Sequence, residues 1–428
     1  MRSFTGHAWR ITLRTLQIVA ASTAALLSFG VAWMRLRGSG DALPRAAGRT
    51  LVRLCTRLGA TFIKVGQIAS TRADLLPRPL VEELAALQDR VPPFPYEIVR
   101  RTIEEELGAP LERIYSQFDT EPVAAASVAQ VHRAVLRAQG AVVAVKVRRP
   151  DIVEKVQLDR SILLVIARAL ERVVPSLRLV SLELAVRAFC DAVEEQIHFT
   201  QEAQNNARFS ANFCSDPDIA FSHLYPAACS DAVLTMEFVE GVHEAELEAH
   251  GVDVHRVVVA GMRCVCRMIF LHGFVHADLH AGNLRFFAPG RVVLLDLGLV
   301  GRLNDTDRLT TAQTLYAFAT GDGRTVARMF YEHAPYKATP DYDAYEREVV
   351  ALVDSLYRRG LGTMQITVEI GRIFDVLRRH RIHARSHMTM VNIALMAAEG
   401  LGKRLDPGLS LTDEALPYLA EAIAGSAP

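Results

Sequence analysis

The sequence predicts an α+β fold in which a small strand-bearing lobe lies between a helical preface and a larger helical lobe. Three observations predict it. Val131 to Leu136 and Ala141 to Val147 are β-branched runs separated by Gln139-Gly140, the pattern of paired strands. A further strand-like block runs from Ala232 to Val239. Helical periodicity governs Asp159 to Val174, Leu182 to Phe209, Val254 to His272 and the chain beyond Asp305. Half of the 428 residues are hydrophobic and 22% are charged, which suits a sizeable core. Basic and acidic residues balance at 48 each, so no general electrostatic footprint for nucleic acid exists and that partner class is excluded. Six scattered cysteines form no disulfide framework, and a reducing compartment follows, with the thiols acting as small apolar groups.

The preface opens on an uncharged run from Thr15 to Met34, flanked by Arg10 and Arg14 before it and Arg35 and Arg37 after it. About 20 helical residues cross a hydrocarbon core of roughly 30 Å. A cleaved secretory leader fits less well, because the run is long and the basic Trp33-Met34-Arg35-Leu36-Arg37 suits cleavage poorly. Arg35, Arg37, Arg45, Arg49, Arg53 and Arg57 outnumber Arg2, Arg10 and Arg14, so the expectation is a single N-terminal membrane span with the main domain cytoplasmic. Its Ala, Ser, Thr and Gln17 content leaves a packed globular helix as the alternative. Removal of residues 1 to 37 is expected to leave a soluble core.

Gly38-Ser39-Gly40 and Leu43-Pro44 read as a linker, and Arg45 to Glu106 reads as mainly helical, interrupted at Pro77, Pro79 and Val91-Pro92-Pro93-Phe94-Pro95. Short strands, Leu284 to Phe287 and Val292 to Leu295, flank a turn at Ala288-Pro289-Gly290. The expected divisions are residues 1–37, 38–115, 116–241 and 242–428.

His276-Ala277-Asp278-Leu279-His280-Ala281-Gly282-Asn283 has the H-x-D-L-x-x-x-N spacing of a phosphoryl-transfer loop. The chemistry needs an aspartate beside the accepting hydroxyl and an amide oxygen five residues on that turns back to a metal. Thirteen residues after Asn283, Asp296-Leu297-Gly298 follows an apolar run, as a D-F-G-type metal aspartate would. A lone H-x-D is common and a lone D-x-G is usually a turn. The two in order, with a hairpin-length gap, point to Asp278 as the catalytic residue and to Asn283 and Asp296 as Mg2+ ligands.

Upstream, Val143-Ala144-Val145-Lys146 reads like the strand whose lysine grips the α- and β-phosphates of ATP. A lysine alternating with valines is ordinarily an edge strand's solvent face. Its neighbour Ala124-Ala125-Ala126-Ser127-Val128-Ala129-Gln130-Val131 places alanines where a phosphate loop carries glycines, with Val131 positioned for the purine. Alanine resists positive φ, so this loop is expected to be stiffer than a glycine-rich one. Glu202 is the expected partner of Lys146, and Met236 to Gly241, with Glu237 and Val239, reads as the strand-to-hinge passage facing adenine.

Lys64-Val65-Gly66-Gln67 resembles the K-x-G-Q signature of the UbiB (AarF) family. The alanine-rich loop with Gln130-Val131-His132, the Gln201-Glu202-Ala203 segment, His276-Ala277-Asp278, and the closing Glu399-Gly400-Leu401 and Leu405-Asp406-Pro407 are similar too. The resemblance implies a two-lobed protein-kinase-like fold with a helical N-terminal extension over the nucleotide cleft, and a regulatory part for Lys64 and Gln67 there. It further implies an ATPase or phosphotransferase serving ubiquinone or other isoprenoid lipids, with lipid-biosynthesis proteins as partners. Two departures stand out. Gln196 and His198 replace an acidic pair, and Leu279 and Ala281 replace prolines of the family's loop.

Two rivals remain. His272, His276 and His280 recur every four residues and would share a helix face able to bind zinc, although Gly273 and Gly282 oppose a continuous helix. A nucleotide-binding adaptor of a lipid pathway is the other, since no A-P-E motif follows Asp296-Leu297-Gly298 and Ala277 removes an arginine. The retained Lys146, Asp278 and Asp296 favour chemistry.

Overall fold

The computed structural model describes residues 2–36, 41–70, 76–85, 87, 92–173, 182–339, 341–359, 366–409 and 411–425. Arg37 and the linker residues Gly38-Ser39-Gly40 lie outside the described residues. Two compact units divide the chain. The first comprises Met1–Thr71, Leu76–Ala203 and His223–Phe238; the second comprises Gln204–Ser222 and Val239–Pro428. The architecture is α+β, of mixed helices and small sheets.

In the first unit, β1 (Tyr115–Phe118), β2 (Ala124–Ala125), β3 (Ala129–Leu136), β4 (Val142–Arg148) and, after β5 (Ile219–Phe221) of the other unit, β6 (Val233–Glu237) matter most. They form an antiparallel five-stranded sheet of order β1-β3-β4-β6, with β2 also paired to β3. Period-two alternation explains β4. Val143, Val145 and Val147 are buried against Val99 and Ile103 of a helix at Tyr96–Leu107, while Ala144 and Lys146 take the opposite face. A one-residue slip would drive Lys146 into that core, so the valines fix its face.

Four helices build the extension: α1 (Arg2–Leu36), α2 (Ala42–Leu58), α3 (Ala60–Ser70) and α4 (Arg78–Leu84). Ile18 and Ala21 of α1, Cys55 and Leu58 of α2, Phe62 of α3, Leu84 of α4 and Ile162 share one core. The apolar run of α1 is therefore not bare. Arg14 donates from Nε and Nη2 to the two carboxylate oxygens of Asp159, at 2.7 and 2.9 Å, and from Nη2 to the Leu58 carbonyl at 2.9 Å. The Asp159 side chain has no solvent exposure. Truncation at residue 37 would strip this carboxylate of its cation and uncover the shared core. Elsewhere α1 leaves Leu16, Val19, Leu26, Leu27 and Val31 exposed, and Thr12–Val31 is long and apolar enough to cross a membrane.

Two boundaries differ from the sequence reading. Leu182 to Phe209 is two helices, Leu182–Ile197 and Phe199–Asn212, broken at His198. The Phe199 N–H donates to the Asp231 carbonyl at 3.1 Å, and the Asp231 carboxylate bonds both His198 and Thr200, so one aspartate stabilises the break. The strand expected to reach Val239 ends at Glu237; the Phe238 N–H makes the last ladder bond, to the carbonyl of Val142, the first residue of β4.

In the second unit, Phe209, Met268, Ile269, Phe270 and Phe274 centre one core, and Tyr345, Val349, Ile373 and Phe374 centre another. The helix Val254–Cys266 runs into a wider π-type turn, Arg267–Leu271. Gly273 follows at φ +55°, with a Cβ there only 2.7 Å from the Leu303 carbonyl oxygen. That glycine admits the turn into β7 (Phe274–His276). Strands β8 (Leu284–Phe287) and β9 (Arg291–Leu294) form a hairpin, joined by β5 in parallel, and β10 (Val300–Arg302) pairs with β7. Beyond Asp305 the described residues are mainly helical, with short strands at Tyr336–Lys337 and Ile382–His383. All six cysteines are free, with Cys214 exposed, and burial pushes the Cys55 and Cys190 thiols up to about 11.

Candidate active site

Lys146 stands in the middle of the first unit's sheet, opposite Val131 on one side and Leu234 on the other. Its Nζ donates to both Glu202 oxygens, at 3.0 and 2.8 Å, and lies 5.3 Å from the centre of the Phe199 ring. The two side chains are 11% and 5% exposed. This is a nearly buried, bidentate pair, unlike the exposed contacts that contribute little. Glu202 occupies the first turn of Phe199–Asn212, so the break at His198 places it.

The alanine-rich loop is a tight hairpin. Ala124 and Ala125 pair with Val131 and Gln130, and the Ala126 N–H donates to the Ala129 carbonyl at 2.8 Å. Ser127 and Val128 form its buried tip, and Val128 packs in a core shared with Val65, Val193, Phe199 and Met236. Among the described residues only Asp151 and Arg381 combine a side chain beyond hydrogen with positive φ, so the loop closes without left-handed geometry. The alanines thus adopt the conformation they prefer. Glu237 is exposed, its N–H donating to the His223 carbonyl, and Val239 is half-buried.

Lys64 and Gln67 are half-buried on α3. The Gln67 amide donates to the Leu87 carbonyl at 3.3 Å. The glycine between them has a packing reason, since a Cβ on Gly66 would lie 2.4 Å from a Leu87 methyl carbon. Where the acidic pair was expected, His198 stands 2.8 Å from the Asp231 carboxylate, which also accepts from Arg148 at 2.6 Å. Partial burial pushes the Asp231 carboxyl up, but the hydrogen bonds from Arg148, His198 and Thr200 outweigh it and hold it low.

In the second unit His276 is buried and organises the loop. The Asp278 N–H donates to its Nδ1 at 3.1 Å, so the proton sits on Nε2, which donates to the Asp296 carbonyl at 2.6 Å. Burial lowers the His276 pKa and keeps this neutral tautomer. One imidazole thereby fixes the backbones of both aspartates. The Asn283 side-chain N–H donates to the Asp278 carbonyl at 3.1 Å, which turns its amide oxygen the other way. The Asp296 carboxylate accepts from the Gly298 N–H at 3.0 Å, and Asn205 donates to the Leu297 carbonyl at 3.0 Å. The Asp278 side chain is exposed. His272, His276 and His280 lie on a turn, a strand and a loop, so the helix face on which a zinc reading rests does not form.

The sequence reading passed over Phe199, Asn205 and Asp231. Phe199 and Asn205 lie within three residues of Glu202 on the same helix, whereas Asp231 reaches its partners only through the fold.

Residues 86–330 match the family model of the ABC1 atypical kinase-like domain, and residues 349–410 match that of the UbiB helical domain. An uncharacterized protein of Synechocystis sp. is 34% identical over 405 residues, covering 92% of this chain and 58% of that protein. A Shewanella pealeana protein named probable protein kinase UbiB is 31% identical over 93% of this chain and 73% of its own length. One of the same name from Aeromonas salmonicida is 33% identical over 85% and 68%. The chain thus spans a little over half the length of the Synechocystis relative. The structure of Rv3197 with erythromycin from Mycobacterium tuberculosis aligns at a TM-score of 0.50 and 20% identity, over 80% of this chain and 90% of that one, and supports the fold alone. With two family models in succession and relatives matched over most of their length, the chain belongs to the UbiB family of ABC1 atypical-kinase-like proteins.

Proposed function

We propose that the protein binds ATP with Mg2+ and transfers or hydrolyses the terminal phosphoryl group at a membrane, in support of ubiquinone or other isoprenoid-lipid chemistry. The observation that carries this reading is the nearly buried Lys146–Glu202 pair, because a phosphate-gripping lysine must be held in place before nucleotide arrives. Lys146 would meet the α- and β-phosphates, the alanine-rich loop would present its N–H groups to them, and Val131 would pack on the purine. Glu237 and Val239 would offer backbone groups to the adenine edge. Asp278 would take the proton from the accepting hydroxyl or water.

Asn283 and Asp296 offer one amide and one carboxylate oxygen, hard donors suited to a cation that keeps several waters and completes its shell with phosphates. Bound there, Mg2+ would neutralise charge developing on the transferred group. Lys64 and Gln67 would regulate access from the extension. The exposed apolar side chains of α1 support attachment to a bilayer, and the arginines that follow it support a cytoplasmic main domain.

The test is ATP turnover by the full-length protein, with and without quinone-like lipid and vesicles. Mg2+-dependent turnover that rises with lipid is expected. ATP binding with no turnover under any lipid condition would instead make the chain a nucleotide-dependent adaptor of a lipid pathway, and absence of ATP binding would overturn both readings.

A further inference from the structure

Two side chains tie the alanine-rich loop to a segment that the nucleotide reading leaves unused. Gln130 is 1% exposed and pairs edge to edge with the backbone of Phe94. The Phe94 N–H donates to its Oε1 at 2.9 Å, and its Nε2 donates to the Phe94 carbonyl at 3.2 Å. The same Nε2 lies 3.0 Å from Nε2 of buried His132, whose Nδ1 lies 2.8 Å from the Asp119 carbonyl. Arg149 works from the other strand. Its backbone N–H donates to the Val128 carbonyl at 2.8 Å and its Nε to the Ala126 carbonyl at 2.8 Å. Its Nη2 donates to the Pro92 carbonyl at 2.7 Å, and the guanidinium lies 5.4 Å from the Phe94 ring centre.

We propose that Gln130 and Arg149 are positioning residues that clamp the alanine-rich loop to the Pro92–Phe94 strap of the helical extension, and so set affinity for the phosphate chain of a nucleotide. The inference rests on the nucleotide reading above. The Ala126 and Val128 carbonyls both point to Arg149, so the Ser127 and Ala129 N–H groups, which lie opposite them across planar trans peptides, point away from it. A loop without glycine cannot reach that arrangement through left-handed residues, so the clamp supplies externally the order that glycine geometry supplies elsewhere. Charge-assisted bonds from the Arg149 side chain to one loop carbonyl and one strap carbonyl, beside the backbone bond to Val128, tie the loop and the strap to the residue that follows β4.

The clamp acts on the phosphates and leaves the adenosine end alone, which gives a readout that a merely structural role would not move. Binding of Mg2+–ATP and of adenosine is to be measured on full-length wild type, Arg149→Ala, Arg149→Lys and Gln130→Met. ATP affinity is expected to fall about tenfold in Arg149→Ala and Gln130→Met, a change of roughly 1.4 kcal/mol. Adenosine affinity should stay within about twofold, and Arg149→Lys, with one directed bond in place of a fork, should recover part of the loss. Equal losses for ATP and adenosine, or ATP affinity unchanged in both variants, would overturn the clamp. A wild type that binds no ATP would overturn the nucleotide reading together with it.

Discussion

Replacing Arg14 by alanine tests how the N-terminal helix is held. The Asp159 carboxylate has no solvent exposure, and Arg14 reaches both its oxygens, bridges to the Leu58 carbonyl and lies 5.7 Å from the Phe62 ring centre. Arg14→Ala removes these contacts and leaves a charge in the core of the extension. Breaking a buried pair from one side costs about 3–5 kcal/mol, because the surviving charge has lost both water and partner. At roughly 2–4 °C per kcal/mol for a unit of this size, melting should fall by about 10 °C. Arg14→Leu with Asp159→Leu should recover most of that loss, since an apolar pair leaves no charge behind. Thermal unfolding of the detergent-solubilised protein, followed by far-ultraviolet circular dichroism, reads each variant. If α1 were a bare span with Arg14 at the water boundary, Arg14→Ala would match the wild type within about 0.5 kcal/mol, and so would the double variant. That result would refute the packed helix.

Lys146→Met should abolish ATP turnover and lower stability by about 3 kcal/mol, because Glu202 is 5% exposed and loses its cation; turnover and melting assays on one preparation check both. Gly273→Ala should destabilise by about 2 kcal/mol or more, since φ of +55° and a carbonyl oxygen 2.7 Å from the new carbon act together, and equilibrium urea unfolding measures it. Burial lowers the pKa of His132 and of His272, so the unfolded chain binds protons more readily there. Their stabilising share is therefore complete above the unfolded value near 6.5 and fades as pH falls below it, by up to about 1.4 kcal/mol per pH unit for each group. His132→Gln should show a shallower loss of melting temperature between pH 7 and 5 than the wild type; an identical profile would contradict the assignment.

Much of this was legible in the sequence because it depends on local pattern. The valines of Val143-Ala144-Val145-Lys146 fix the lysine's face by period two alone, and the spacing from His276 to Asn283 encodes a turn that closes on itself. The pair between Lys146 and Glu202 was expected on chemical need, and the structure forms it. Contacts made only by tertiary packing were not legible. Nothing near Arg14 names Asp159, and nothing near His198 names Asp231, which breaks a helix that the hydrophobic periodicity runs straight through. The alanine content of the loop predicts stiffness, but its inward-turned Val128 tip depends on a core that assembles around Phe199 and Met236. The end of β6 two residues early reflects the start of its partner β4 at Val142, the in-register neighbour of Phe238, beyond which no paired residue remains.

We propose that Asn283 and Asp296, beside the backbones that His276 ties together, supply two oxygen donors to magnesium when ATP binds. The most direct measurement is ATP binding by the full-length protein in magnesium and in chelator, for wild type and Asp296→Asn, with melting recorded for both. Binding by wild type in magnesium alone, loss of that binding in Asp296→Asn, and closely similar melting temperatures are expected, because the His276 bond is to the Asp296 backbone and survives the change. Equal ATP binding in chelator, or by Asp296→Asn in magnesium, would contradict it.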